Sequence, residues 1–143
     1  MSDYLVWQDK WLIGIDELDA DHKEIVRLIN RLADPSDESS VLQRLENLAA
    51  QLKAHFKREE RFLDHIHFPD RTAHANEHTL ELAEFTLMKR ELKESGDVAM
   101  DKANLEAIKT WFFNHAVAQD QLFAEYYRND YREREDHNGP GSN

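Results

Sequence analysis

Residues 55–78 read HFKREERFLDHIHFPDRTAHANEH. Two i, i+4 pairs stand inside this stretch, His55 with Glu59 and His74 with His78. Four residues advance an α-helix by about 400°, so both side chains of each pair leave from one face. Phe68-Pro69-Asp70 separates the pairs, because proline disfavours a helical residue before it. Two helices on either side of a break, each showing imidazole or carboxylate from a single face, suit metal ligation between facing helices of a bundle.

Upstream of the break, Leu45, Leu48, Leu52, His55, Glu59, Phe62 and Ile66 keep a 3-4-3-4-3-4 rhythm. Two ligand-type residues thus occupy positions where the rhythm asks for leucine. An ionised carboxylate there without a partner costs on the order of several kcal/mol, a cost that a cation or a buried base removes. The preceding PSDESS cluster supplies N-cap side chains for this helix. Further back, Leu18, His22, Ile25, Ile29 and Leu32 mark one stripe of a helix running from about Asp19 to the stop at Asp34-Pro35.

Downstream, a third helix is expected from about Asp70 to Ser95, with His74, His78, Leu82, Phe85 and Leu92 on one side and Gly96 as its C′ residue. A fourth runs from about Val98 to beyond Tyr127 with two inward rows. One row holds Ile108, Trp111, His115, Leu122 and Tyr126, and the other Phe112, Ala116, Asp120, Phe123 and Tyr127. Asp120 is the awkward member, since an i+5 offset turns it about 140° from His115 and Gln119 matches better. The expected architecture is all-α, an antiparallel up-down-up-down four-helix bundle with an extended N-terminal arm. Residues 1–16 form that arm, in which Leu5, Val6, Trp7, Trp11, Ile13 and Ile15 need a surface to lie on. Residues 17–134 form the bundle, and residues 135–143 a flexible tail or the start of a linker.

The chain has 143 residues, enough for one domain with a substantial core, and a formal net charge of −11. That charge, with no Lys/Arg stripe, argues against nucleic acid as a partner. No apolar run approaches 18 residues and no secretory signal is apparent, so a membrane role is disfavoured and a cytoplasmic location expected. With no cysteine, thiolate chemistry is excluded and any metal rests on nitrogen and oxygen.

The ligand-type residues on inward faces are His22, His55, Glu59, His74, His78, His115 and Asp120. Singly, each reads as an ordinary packed or surface residue; together, all on seams, they do not. Seven donors exceed one four-coordinate zinc site and suit two metals with bridging carboxylates. Imidazole with carboxylate fits iron, zinc or manganese better than calcium or magnesium.

The motifs VWQDKWLIGIDELDADHK (6–23), HFKREE (55–60), HANEH (74–78) and WFFNHAVAQD (111–120) together resemble the hemerythrin family, in its single-domain bacterial form. The resemblance implies two iron ions. His74, His78 and His115 would serve one and His22 and His55 the other, with Glu59, Asp120 and an oxo or hydroxo group bridging them. It implies reversible dioxygen binding at an open position on the two-histidine iron, for storage, delivery or sensing, rather than enzymatic turnover. The alternatives are an oxygen or redox sensor feeding a signalling domain beyond the chain, and a di-iron peroxidase or nitric oxide-handling enzyme; azide, nitric oxide and peroxide are further candidate ligands. No Glu-x-x-His pair of the ferritin-like di-iron type occurs. Phe56, Phe62, Trp111, Phe112 and Ala116 are expected to line the oxygen pocket. Three positions depart from the family pattern: Asp21 for a common glutamine, Leu63 for a frequent methionine, and Ala116 for a bulky aliphatic residue. Exposed charges such as Lys57 and Arg58 read as solvated, as do His65, His67 and His137.

Overall fold

Four helical runs account for most of the chain in the computed structural model, which describes residues 3–95 and 102–131. The first, α1 (Asp16–Ala33), opens with Asp16, Glu17 and Asp19 at the positive end of its dipole and stops at Asp34, as Pro35 requires. It begins three residues before the expected start. The second, α2 (Val41–His65), is capped by Ser40, whose hydroxyl accepts from the backbone N–H of Gln43 at 3.0 Å. The third, α3, spans Arg71–Glu94; the expected C′ residue Gly96 lies outside the described residues, as does the tail from 132 onward, including His137.

The fourth run is not a uniform α-helix. It begins as α4 (Lys102–Phe112), widens into a π segment (Phe113–Gln119), and returns to α geometry as α5 (Asp120–Tyr126). A second π segment, Tyr127–Tyr131, completes the run. No strand occurs among the described residues, and the four runs form the antiparallel up-down-up-down bundle.

Two devices close the corners. Arg44 is buried and donates Nη1 to the carbonyls of Arg31 and Leu32, satisfying orphan groups at the end of α1. At the end of α2, His67 takes a left-handed φ of 55° and the N–H of Phe68 reaches back to the carbonyl of Leu63 at 3.0 Å. That is a Schellman-type stop built on histidine instead of glycine, with Phe68 buried behind it.

The arm lies on the bundle as expected, with Leu5, Trp11 and Ile13 buried, but Val6 faces outward at 56% exposure. Asn30 holds Leu5 from both sides, accepting from its N–H at 2.7 Å and donating to its carbonyl at 2.8 Å. Asp19 accepts from the N–H groups of Ile13 (2.8 Å) and Gly14 (3.1 Å), and Gly14 turns the chain at φ 85°.

The apolar interior is split in two. One cluster gathers Trp11, Ile25, Ile29, Leu48, Leu52, Phe56, Phe112 and Ala116. The other gathers Ile13, Leu18, Leu63, Ile66, Phe68, Phe123 and Ala124. Along α1, α2 and the fourth run, the ligand-type residues fall between members of the two clusters, as His22 does between Leu18 and Ile25. A polar layer therefore crosses the bundle between two dry blocks.

Candidate metal centre

Seven side chains from four helices converge in this layer. His22, His55, Glu59, His115 and Asp120 are at most 1% exposed, His78 is 2% and His74 is 8%. Every imidazole points its Nε2 inward. Nε2 of His22 lies 2.9 Å from Oδ2 of Asp120, and Nε2 of His55 lies 2.9 Å from Oε2 of Glu59. Nε2 of His115 lies 3.0 Å from Oδ2 of Asp120 and 3.5 Å from Oε2 of Glu59. Oε1 of Glu59 takes the opposite side, 3.0 Å from Nε2 of His78 and in contact with Nε2 of His74. Oδ1 of Asp120 reaches Nε2 of His74 at 3.3 Å.

These distances are short, yet much of the layer makes no hydrogen bonds. Nε2 of His22, His55 and His115, Oε2 of Glu59 and both carboxylate oxygens of Asp120 are buried without a hydrogen-bond partner among the described residues. The atoms approach one another without pointing at one another. Two donors about 2.1 Å from one cation and at right angles lie about 3.0 Å apart. The observed 2.9–3.0 Å spacings are what donors aimed at a shared central ion produce. The donors fall into two overlapping groups, His22, His55, Glu59, His115 and Asp120 in one and Glu59, His74, His78 and His115 in the other. Within each group one donor atom per residue lies within 4.8 Å of all the rest. Five imidazole nitrogens and two carboxylates, with no sulfur, match a pair of borderline transition-metal ions.

Charge in the layer is arranged to receive cations. Burial raises the Glu59 carboxyl, but His115 and His55 outweigh it and hold it well below the usual range. Asp120 is likewise lowered despite its burial and the nearby Glu59 charge. Burial alone would push the His55 ring down; the Glu59 charge and the hydrogen bond to Asp21 lift it to about 9. His74 is lifted to about 9 against its burial by Asp120 and Glu59, and His115 is raised further by the same two carboxylates. Without metal the rings of His55, His74 and His115 hold protons where cations would sit, so metal and protons compete for this layer.

The π segment places Asp120. Its backbone N–H donates to the carbonyl of His115, five residues back. An i+5 hydrogen bond stacks residues five apart, so His115 and Asp120 share a face that α geometry denies them. The wider turns also rotate the residues downstream of them. Leu122, expected in an inward row, is 62% exposed, while Phe123 and Ala124 are fully buried.

An outer layer of carboxylates was not expected from the sequence. Oδ2 of Asp21 accepts from Nδ1 of His55 at 3.0 Å, and Oε2 of Glu60 accepts from Nδ1 of His78 at 2.9 Å. Nδ1 of His115 faces Oε2 of Glu81 at 3.6 Å. A carboxylate at Nδ1 fixes the tautomer that leaves Nε2 free to ligate. Glu81 was legible, because His74, His78, Glu81 and Phe85 follow a 4-3-4 rhythm and all are buried. Arg58 corrects a reading: it is not a solvated charge but donates Nε and Nη2 to Asp21 at 2.8 and 2.6 Å.

Aromatic rings wall the layer. Phe56 stacks on His78 at 3.9 Å between centroids, and Trp111 on His115 at 5.3 Å. Phe112 presents an edge to His22 at 6.4 Å, and Ala116 is fully buried beside His115. Phe62 stands further out, packed on Phe123 and Tyr127; it is Phe123 that meets His74, at 5.6 Å. His65 and His67 are exposed.

Comparison with known proteins points to one family. A family profile described as the hemerythrin HHE cation binding domain matches residues 13–127. The chain is 27% identical to the bacteriohemerythrin of Stenotrophomonas maltophilia over 124 residues, covering 85% of this chain and 80% of the relative. It is 30% identical to a hemerythrin-like protein of Naegleria gruberi over 117 residues, covering 82% and 88% respectively. Among solved structures, the wild-type crystal structure of a hemerythrin superposes with a TM-score of 0.74 at 22% identity, over 85% of this chain and 95% of that one. At that identity the likeness speaks for the fold.

Proposed function

We propose that this chain, which belongs to the hemerythrin HHE cation binding domain family, holds two iron ions and binds dioxygen reversibly at them. The observation that carries this reading is the buried convergence of five Nε2 atoms and two carboxylates at ligand-to-ligand distances, with the Nε2 atoms of His22, His55 and His115 outside hydrogen-bond geometry. His22 and His55 serve one ion, and His74, His78 and His115 the other. Glu59, common to both donor groups, bridges them with Asp120, whose two oxygens face His22 and His74. A ferrous pair supplies the two electrons that dioxygen binding draws on.

The residues of the chain do the rest. Glu59 and Asp120 keep the negative charge that offsets two cations in a dry layer. Asp21 and Glu60 hold the rings of His55 and His78 with Nε2 inward, and Glu81 faces Nδ1 of His115 at 3.6 Å. Phe56, Phe112 and Phe123 exclude water, which would favour release of dioxygen over its loss as hydrogen peroxide with two electrons from the metal pair and two protons from solvent. An imidazole-rich set stabilises high-valent iron less than a carboxylate-rich one, so binding is favoured over oxidation chemistry. The functional unit is taken as residues 17–134 with the arm of residues 1–16 packed on it, which agrees with the burial of Leu5, Trp11 and Ile13.

The test is metal analysis and then anaerobic oxygen titration monitored optically. About two irons per chain and an absorption band that appears with oxygen and vanishes on its removal are expected. Steady consumption of peroxide with a reductant, in place of a stable adduct, would move the reading to a di-iron enzyme. Azide and nitric oxide are the probes for the same open position.

A further inference from the structure

Asp21 sits on α1 next to His22, yet its carboxylate serves the neighbouring helix. Oδ2 accepts from Nδ1 of His55 at 3.0 Å, and the same group is gripped by the fork of Arg58, with Nε at 2.8 Å and Nη2 at 2.6 Å. Gln51 approaches Oδ1 at 3.4 Å. Arg58 lies one turn of α2 beyond His55, so the guanidinium reaches back beside the ring that its partner holds. The pair is sunk below the surface, with side-chain exposures of 26% for Arg58 and 9% for Asp21, where charges are screened less than in open solvent.

The other outer carboxylates differ. Glu60 stands behind His78 and Glu81 behind His115; among the described residues neither has a Lys or Arg within ion-pair distance. An anion at Nδ1–H makes the opposite nitrogen a stronger donor, and a guanidinium bonded to that anion withdraws part of the effect. Of the three outer carboxylates, only the one behind His55 is countered in this way.

The geometry points to Arg58 as a positioning residue that acts through Asp21 on His55 and makes the His22–His55 cation position the weaker-holding of the two. This rests on the two-position reading above. The position with His74 and His78 then loads first, and the His22–His55 position loads last and exchanges first, with Arg58 setting the gap between them.

Zinc(II) binding to the metal-free full chain, measured against a chromophoric chelator, tests this without redox chemistry. Two steps are expected in the wild type. Arg58→Gln should tighten the weaker step about fivefold or more, and Asp21→Asn should weaken it about tenfold or more. Both should leave the stronger step within twofold, and Arg58→Lys, which keeps the charge, should leave both steps there. A merely structural salt bridge predicts that Arg58→Gln and Asp21→Asn loosen the same step. Equal wild-type steps, shifts of one sign in these two variants, or changes under twofold in both overturn the proposal. Should Arg58→Gln not fold, Arg58→Met, which keeps the alkyl stem, is read the same way. Failure of the two-position reading looks different: the wild type would take up one zinc or none.

Discussion

The backbone N–H of Asp120 donates to the carbonyl of His115, and Oδ2 of Asp120 stands 3.0 Å from Nε2 of His115. The two are five residues apart and yet meet the same space, because the helix between them is wound as a π turn. Gln119, the residue that α geometry would place opposite His115, has its Oε1 buried and without a hydrogen-bond partner among the described residues.

Exchanging the two residues tests the turn. In the double variant Gln119→Asp, Asp120→Gln an α register would keep a carboxylate beside His115 and retain two metals. With the π turn in place the carboxylate is carried aside, and metal analysis should find about one ion per chain or fewer, with helix content by far-UV dichroism unchanged.

Glu59 is the carboxylate that both donor groups share, as His115 is the shared imidazole. Glu59→Gln should therefore weaken both positions, whereas His22→Ala should weaken only one. Metal analysis after passage over a chelating resin should give well under one ion per chain for Glu59→Gln and about one for His22→Ala. Equal retention by the two variants would mean that Glu59 is not shared.

The range of each interaction decides how much of it the sequence revealed. Helix positions and the seven inward donors were legible because they depend on 3-4 spacing within one segment and on local breakers such as Pro35 and Pro69. Leu122 was misplaced because one π segment, which leaves no mark in residue spacing, turns everything after it. Asp21 and Arg58 were missed for another reason. Asp21 adjoins one ligand-type histidine and serves another 34 residues away, a pairing set by how α1 and α2 pack. Glu81 could have been found, since it occupies a seam position next to Leu82 at the spacing that His74 and His78 begin.

Protons and metal should pull the stability curve in opposite directions. His55 and His74, raised from 6.5 to about 9 in the folded chain, contribute stability fully present below pH 6.5 and lost as pH rises through 9. Glu59, lowered from 4.5, contributes stability present above pH 4.5 and lost as pH falls. Metal-free protein should thus be most stable between about pH 4.5 and 6.5 and melt progressively lower toward pH 9. The rise in melting temperature on adding zinc should grow over pH 6.5–9, as protons cease to compete. Thermal melts of both forms across that range check the crossing; parallel curves would show that the layer does not titrate.

Asp19 fixes the arm where it joins α1. Asp19→Ala leaves the N–H groups of Ile13 and Gly14 without their acceptor, and an orphaned buried donor costs about 1–3 kcal/mol. A Cβ on Gly14 would meet nothing within 4 Å, so Gly14→Ala should cost only the left-handed backbone penalty, about 1 kcal/mol. Urea midpoints give both values. Asp19→Ala should in addition shift tryptophan emission to longer wavelength, because Trp11, 4% exposed under the arm, becomes wetter.

Ala116 stands where the hemerythrin resemblance leads one to expect a bulky aliphatic residue. It sits next to His115 inside the π segment and is fully buried, within the cluster that also holds Phe56 and Phe112. On the proposed di-iron reading, a bulkier aliphatic residue there would narrow the approach to the metal, and alanine would leave it wider to water and to ligands larger than dioxygen. Ala116→Ile separates two states of that space. If room exists beside the irons, the added carbons fill it, the melting temperature holds or rises, and autoxidation of the oxygen adduct slows by about an order of magnitude. If the layer is already close-packed, the same substitution overpacks it at about 1–3 kcal/mol, and the melting temperature falls. An unchanged autoxidation rate in a variant of undiminished stability would remove Ala116 from any part in controlling access.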